Sequence, residues 1–413
     1  MIIQPTGDKK GHYALYASKL SQAMARLGRP VVIATNRINL DPYGGAAPGV
    51  EIIEIGGGRY GFDETVSGGR RYWFNYFRNS FLVTRGALRL ARARGIRDIY
   101  VSDCEFLMLS LCLFLVADPN RRVLLHNNAA NFSYRDYRGS HLKKLYKAFQ
   151  AEIFRLAVLH RVAAVNVLGD WHAARIRAQL RLPSSYPVLV IPDGADITDN
   201  AMDRDTARAH LGLVTREPLF LVFGNYRRDK DYRLLFAALA RVTHPTLKIM
   251  MAGHPAEYSR AALEQMIAES SVPDRIALLR TEFISRNSVR ELFSAADALI
   301  LPYGADYVDG SGPLRNEAAT FSRAVIASDV AEMSTLVRDH DLGRLYTAGD
   351  TDALARALDE VAYAAPEVRD QWGANCRHLG EENSWDSMAV KFDHFLDSRY
   401  AIQPNNSPFL AGK

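Results

Sequence analysis

Two short apolar runs, Ala298–Leu301 and residues 324–327, bracket a polar loop and a helix start. Each run is too short and too uniformly apolar to be one face of a surface helix, so both read as strands buried on both sides. Strands joined through a helix lie parallel in one sheet, because a parallel pair needs a crossover connection. This strand–loop–helix–strand unit recurs along the chain and limits the fold to α/β architectures.

The first series opens with a polar turn and Gly11, then an amphipathic helix over 13–27 with Leu15, Leu20, Met24 and Leu27 near helical spacing. Gly28 stops it, and apolar strands follow at 31–34, 51–55, 98–101, 122–125, 163–167 and 187–191. Polar residues from 198 to 208 read as a linker. A second series then runs through strands at 219–223, 247–251, 276–279 and 298–301, with helices over 232–242 and 289–296. The expected fold class is α/β, with two Rossmann-like doubly wound domains, 1–198 and 199–384, facing a cleft. A ligand belongs in such a cleft.

Composition narrows the setting. A chain of 413 residues with 48% hydrophobic and 23% charged residues has material for two cores. A net charge of +5 permits anionic partners without demanding nucleic acid, and no nucleic-acid module is visible. Cys104, Cys112 and Cys376 form no CxxC pair and no metal spacing, which points to a reducing compartment. The start, Met1-Ile2-Ile3-Gln4-Pro5, does not resemble a signal peptide. The longest apolar run, 106–117, is too short to span a bilayer and reads as a buried helix. A cytoplasmic protein is expected, at most peripheral to the inner membrane face.

The polar stretch between the two opening strands carries the chemistry. Ser311 and Gly312 precede Pro313, and proline suits a first helical turn because its missing N–H would be unpaired there. Backbone N–H groups from Ser311 to Leu314 would then point out of a helix end that favours an anion. Glu317 lies one turn further in, and Asp309 eight residues before it on the approach loop. A phosphate seat between two carboxylates at a strand's carboxyl end describes a nucleotide-sugar site. A Gly- and Asp-rich loop is also what an ordinary turn looks like. In the first series, His126 ends the strand at 122–125, where open α/β sheets hold ligands and where a structural histidine is equally at home.

Two segments pair aromatic rings with cations: residues 70–78, and a run from Tyr134 through Arg135, Tyr137, Arg138, His141, Lys143, Lys144 and Tyr146 to Lys147. That pairing suits a membrane surface, and it equally suits a core helix with a solvated basic face.

With these residues assembled, the chain resembles the GT-B glycosyltransferases, most of all glycosyltransferase family four, a group of retaining nucleotide-sugar enzymes. Asp309 and Glu317 match that family's acid, seven residues, then Glu. Ile191-Pro192-Asp193-Gly194-Ala195-Asp196 is close to its IPNGVD, and Ala252-Gly253-His254 resembles its strand-end glycine turn. Gly224 and Lys230 match its second-domain basic loop, but Asn225 stands where Arg is usual, so Arg227 or Arg228 takes that place. Asp309-Gly310-Ser311-Gly312 replaces EGFG, and Lys10-Gly11 replaces the tandem glycines of the first turn. Ser384-Trp385 resembles the start of the last helix, which in this fold crosses back, so that 385–413 would pack on the first domain.

The resemblance implies a retaining, metal-independent hexosyltransferase, with a nucleotide sugar as donor substrate, no cofactor, and a saccharide or lipid-linked acceptor. Gly11 and Gly224 would border the diphosphate, and Arg227 or Arg228 with Lys230 would neutralise its charge. Backbone N–H groups of Gly312 to Leu314 would hold a phosphate, Glu317 the ribose, and Asp309 and His126 the sugar. A sugar-nucleotide epimerase or phosphorylase of the same architecture, or a nucleotide-binding protein without catalysis, remain alternatives.

Overall fold

A computed structural model describes residues 1–8, 12–40, 45–57, 61, 70–102, 104–116, 118, 121–127, 140–197, 201–213 and 217–398. They form two α/β units: Met1–Pro192 with the last helix, Trp385–Asp397, and Asp193–Ser384. The division thus falls within the Pro-Asp-Gly turn that the sequence places before the linker.

The first unit holds seven parallel strands: β1 (Ile2–Gln4), β2 (Val31–Thr35), β3 (Val50–Glu54), β4 (Asp98–Val101), β5 (Arg122–Asn127), β6 (Ala164–Val167) and β7 (Val188–Val190). Their order is β3-β2-β1-β4-β5-β6-β7, so the winding reverses between β1 and β4. Alternate strand residues feed two cores. Ile3, Val101, Val123 and Leu125 meet helices α2 (Arg70–Ala93), α3 (Phe106–Val116), α4 (His141–Arg161) and α5 (Asp170–Leu180). Ile2, Ile33, Tyr100 and Leu124 meet α1 (His12–Arg26) and the last helix. That helix returns to this unit as expected. Trp385 lies edge-on to Tyr16 at 5.4 Å, and Arg26 and Arg29 pair with Asp386, Asp393 and Asp397.

The second unit holds six parallel strands: β8 (Leu219–Phe223), β9 (Lys248–Ala252), β10 (Ile276–Arg280), β11 (Ala298–Leu301), β12 (Ala324–Ser328) and β13 (Gly343–Tyr346). The order is β10-β9-β8-β11-β12-β13, reversing between β8 and β11. Every residue of β8, β11 and β12 is buried, as the uninterrupted apolar runs require.

Two sequence expectations change. The polar stretch 198–208 is not simply a linker, because Arg204–His210 is a helix capped by Asp203, whose carboxylate accepts from Thr206 N at 2.9 Å. Its Arg208 is buried against Asp297 at 2.8 Å, and Asp297 also accepts from Leu219 N at 2.8 Å. A charge at the end of the expected linker is an internal anchor. Likewise α3 is not fully buried: Leu111, Phe114 and Leu115 face outward.

Breaking a buried pair from one side leaves an uncompensated charge, at about 3–5 kcal/mol. Asp297→Ala should therefore lower the stability of the second unit by about that amount in urea melts. A loss below about 1 kcal/mol, the range of an exposed pair, would show that the helix is not held through this carboxylate.

Candidate functional site in the second unit

The winding reversal between β8 and β11 separates the loops that leave their carboxyl ends, and open α/β sheets hold ligands at that position. β8 runs into Gly224 at φ +99°, a conformation that residues other than glycine rarely adopt. A Cβ there would stand 3.3 Å from Lys230 Nζ and 3.7 Å from Pro313 Cγ. Gly253, at the end of β9, is also required: its Cβ would lie 1.9 Å from the Gly224 carbonyl oxygen. The loop after Gly224 is stitched to the segment after β11. Asp231 N donates to Pro302 O at 2.7 Å, and Gly304 N donates to Asp229 O at 2.8 Å.

This stitching draws Lys230 inward. The residue is 3% exposed, its Nζ donates to Phe223 O at 2.8 Å, and the Tyr303 ring centroid is 5.8 Å away. Burial first, and then the neighbouring Arg227 cation, lower its pKa to about 7; the attraction of Asp229 opposes them. Arg227 is half-buried with Nη2 2.6 Å from Asp229 Oδ2. Burial pulls its pKa down, but Asp229, Tyr303, Tyr307 and Asp309 hold it above the ordinary value. Asp309 therefore shares the electrostatic surroundings of this cation pair. The Tyr303 and Tyr307 rings stack at 3.9 Å, and Tyr307 Oη donates to Gly310 O at 2.8 Å, which fixes the loop carrying Asp309. Arg228 is exposed, and its backbone N donates to Glu257 at 2.7 Å. Of the two arginines proposed for the missing family position, Arg227 is the one set among these groups.

The expected helix begins where Pro313 places it. Residues 312–320 are helical, with Pro313–Ala318 wound as a π-helix. Such widened turns recur at functional sites. Gly312 is exposed and a Cβ on it would meet nothing within 4 Å, so the space before the helix is open. Ser311 and Leu314 are buried, and Arg315 fixes the segment by a buried pair with Glu332, Nε to Oε2 at 3.2 Å. Glu317 is half-buried, with Oε2 fully enclosed and without a hydrogen-bond partner. Burial raises its carboxyl to about 7, against its own backbone N–H and the pull of Arg286. Arg286 itself pairs with Asp196, from the turn that resembles IPNGVD.

The remaining candidates lie in the first unit. Gly11 falls outside the described residues. His126 is buried at the carboxyl end of β5, with its ring 4.8 Å from Tyr16 and 5.9 Å from Tyr100. Asn166 Oδ1 accepts from Ile191 N at 3.0 Å and its Nδ2 donates to Ile191 O at 2.9 Å, which orients the amide. Nδ2 therefore donates to His126 Nδ1 at 3.0 Å, and the proton of a neutral ring sits on Nε2.

Sequence reasoning missed Tyr303, Tyr307, Asp229 and Arg286. Tyr303 had a signal, since it stands two residues past the strand end that borders the reversal. Arg286 had none, because only tertiary packing brings it to Glu317.

The family model described as glycosyl transferases group 1 matches residues 203–379, most of the second unit. The D-inositol 3-phosphate glycosyltransferase of Nocardia farcinica is 30% identical over 177 residues, 41% of this chain and 38% of that protein. The chain thus spans well under half the length of that relative. Among solved structures, sucrose-phosphate synthase from Thermosynechococcus elongatus has a TM-score of 0.74 at 19% identity, covering 96% of this chain and 97% of that one. Anabaena HepE, solved in complex with UDP, has a TM-score of 0.70 at 15% identity over 96% and 98%. At these identities the structural likeness is one of fold.

The dry position of Lys230 has a measurable signature. A folded-state pKa of about 7 against an ordinary 10.5 means that the unfolded chain binds more protons between those values. The penalty of burying the ammonium is complete at and below pH 7 and fades as pH rises toward 10.5. Lys230→Met should therefore stabilise the ligand-free protein by about 2 kcal/mol or more at pH 6, one and a half pK units' worth or above, and far less at pH 10. Equal effects at both pH values in urea melts would place the amine in water.

Proposed function

Because the chain has the GT-B glycosyltransferase fold and most of its second unit matches the group 1 glycosyl transferases, we propose that it moves a sugar from a nucleotide-diphosphate donor to an acceptor. The observation that carries this is the arrangement around Gly224: a desolvated Lys230 ammonium, Arg227 beside it, and open space before the helix at Pro313. Two cations at a strand end are suited to a diphosphate. The enclosed, unpartnered Glu317 Oε2, one turn into that helix, is suited to ribose hydroxyls. HepE, on the same fold, was solved with UDP, which supports a nucleotide ligand here.

In the proposed reaction, the bond between the sugar's anomeric carbon and the diphosphate oxygen breaks, and negative charge grows on that oxygen. Lys230, which is buried, and Arg227, which is half-buried, would face that charge, and fixed cations at little-hydrated positions lower such a barrier most. They supply the neutralisation that would otherwise fall to a metal ion. Arrival of the diphosphate draws Lys230 back to its ammonium form, so binding above pH 7 takes up a proton. Asp309, on the loop pinned by Tyr307, contacts the sugar ring. Double displacement needs a nucleophile and an acid about 5 Å apart. Asp229 is paired with Arg227 through two contacts, at 2.6 and 3.3 Å. Retention, which the family resemblance implies, would then follow a front-face path.

The acceptor is a saccharide or lipid-linked intermediate, used in the cytoplasm or at the inner membrane face. The three cysteines are buried and outside any disulfide, which suits a reducing compartment.

Transfer from labelled donors tests the reaction, and two nearly isosteric variants separate the carboxylates. At pH 8, where Glu317 is mostly ionised, Glu317→Gln should weaken donor and free nucleoside diphosphate alike, by about 1.5–3 kcal/mol for a lost charged hydrogen bond. Asp309→Asn should leave diphosphate affinity unchanged while kcat falls, as for an interaction made mainly in the transition state. Lys230→Ala should lower turnover about a hundredfold, the range for a group that stabilises developing charge. Nucleoside diphosphate binding without turnover on any donor would make the protein a binder. Reversed effects of the two carboxylate variants would exchange their roles.

A further inference from the structure

Helices α2, α3 and α4 cover one face of the first unit's sheet. Together they carry eleven Lys and Arg and a single acid, Glu152, whereas the whole chain carries 51 and 46. The three helices thus contribute a net +10 to a chain of +5, and everything else is acidic by five. On the same helices, large apolar side chains point into solvent: Leu142 is 80% exposed, Leu145 69%, Phe149 55%, Phe74 65% and Trp73 53%. A soluble surface does not ordinarily combine a cluster of bare aromatic and aliphatic side chains with so one-sided a charge.

These apolar residues belong to the starts of α2 and α4, and both starts lie at the sheet's carboxyl edge. Glu105, just beyond β4, ties them there. Its backbone N donates to Ser80 Oγ of α2 at 3.1 Å, and its carboxylate accepts from Tyr146 and Gln150 of α4. At the opposite end of α2, Arg94 pairs with Glu51 near the start of β3, so the helix runs from the carboxyl to the amino edge. Trp73 lies seven residues before Ser80 and Leu142 eight before Gln150, or about 10–12 Å of helix past the Glu105 anchor. Between positions 141 and 151, α4 has exposed Leu142, Leu145 and Phe149 interleaved with Lys143, Lys144 and Lys147 and no acid. Aromatic and aliphatic groups at headgroup depth with lysines beside them are the composition of an interfacial helix.

We propose that the amino-terminal halves of α2 and α4 dock on an anionic lipid surface. The positive charge selects negatively charged headgroups, and the apolar side chains enter the boundary beneath them. Among the described residues no helix is long and apolar enough to cross a membrane, so the contact is a surface one. It deepens the proposed transferase activity, resting on it only in that the docked face brings the sheet's carboxyl edge to the plane where a lipid-linked acceptor would be found.

Sedimentation of the full chain with phosphatidylcholine vesicles, with and without phosphatidylglycerol, tests this without any turnover. Binding should be at least about tenfold stronger to the anionic vesicles and weaken as salt is raised. Lys143→Gln and Lys144→Gln should each weaken it about fivefold, the ratio for one lipid-facing cation. Leu145→Asp should weaken it about tenfold or more, because it puts an acid at the boundary. Lys143 and Leu145 are exposed and Lys144 is half-exposed, so melting temperatures and transfer to a water-soluble acceptor should stay unchanged. Equal binding to both vesicle types, or variants that bind like the parent, would overturn the proposal. So would concentration-dependent self-association abolished by Leu145→Asp, which would assign the face to a second copy. Anionic vesicle binding by a protein inactive on every donor would overturn only the transferase activity.

Discussion

The chemistry proposed for the second unit depends on keeping one amino group dry. Lys230 Nζ is held by a single backbone carbonyl, Phe223 O at 2.8 Å, beneath the Tyr303 ring and beside another cation. An ammonium has three protons to donate, so this environment leaves it poorly served without an anion. Its lowered pKa expresses that deficit. A pocket that destabilises its own cation would favour an anionic ligand that restores the charge.

What makes this arrangement possible is backbone approach rather than side-chain chemistry. The reversal between β8 and β11 opens a gap in which two loops can meet, and beside it β9's turn approaches the end of β8 closely enough to exclude a Cβ. Gly253 lets β9's turn pass the Gly224 carbonyl, and Gly224, at positive φ, leaves room for both Lys230 Nζ and Pro313. The loops are then locked by main-chain bonds, Asp231 to Pro302 and Gly304 to Asp229, which do not depend on which side chains stand there. Side chains are needed at the next level: Tyr307 pins the Asp309 loop through Gly310, and Arg315 with Glu332 secures the helix behind it.

The strands were legible in the sequence because parallel strands buried on both faces leave uninterrupted apolar runs; those at 219–223 and 298–301 match β8 and β11 residue for residue. Pro313 marked its helix for an equally local reason, the proline's missing N–H. Charged residues were harder to read. Arg208 fell at the end of an expected linker and is buried, against a partner, Asp297, 89 positions away. Arg227 and Arg228 were indistinguishable by composition, and only the fold turns one toward Asp229 and Asp309 and the other toward solvent. The widened π-turn at Pro313–Ala318 left no sequence trace that differs from an ordinary helix.

The two units put different chemistry at equivalent places. Both sheets reverse winding, between β1 and β4 in one and β8 and β11 in the other. At the second reversal stand Lys230, Arg227, Asp229 and Asp309, all of them ionisable. Among the described residues, at the first stand Gln4, Thr6 and Ser102, buried and neutral, with Ser102 Oγ donating to Gln4 Oε1 at 2.8 Å, and beyond them Asp8, whose carboxylate accepts from Asn36 Nδ2. His126 and Asn127 end the neighbouring strand, equally buried, and the Asn166 amide sets the imidazole tautomer. Fixed charges discriminate by sign and act over several ångströms, whereas neutral donors and acceptors discriminate by direction and act only in contact. Among the described residues, a common strand order thus puts a cation pair at one reversal and chiefly neutral donors and acceptors at the other, and the difference lies in a handful of side chains just beyond the strand ends.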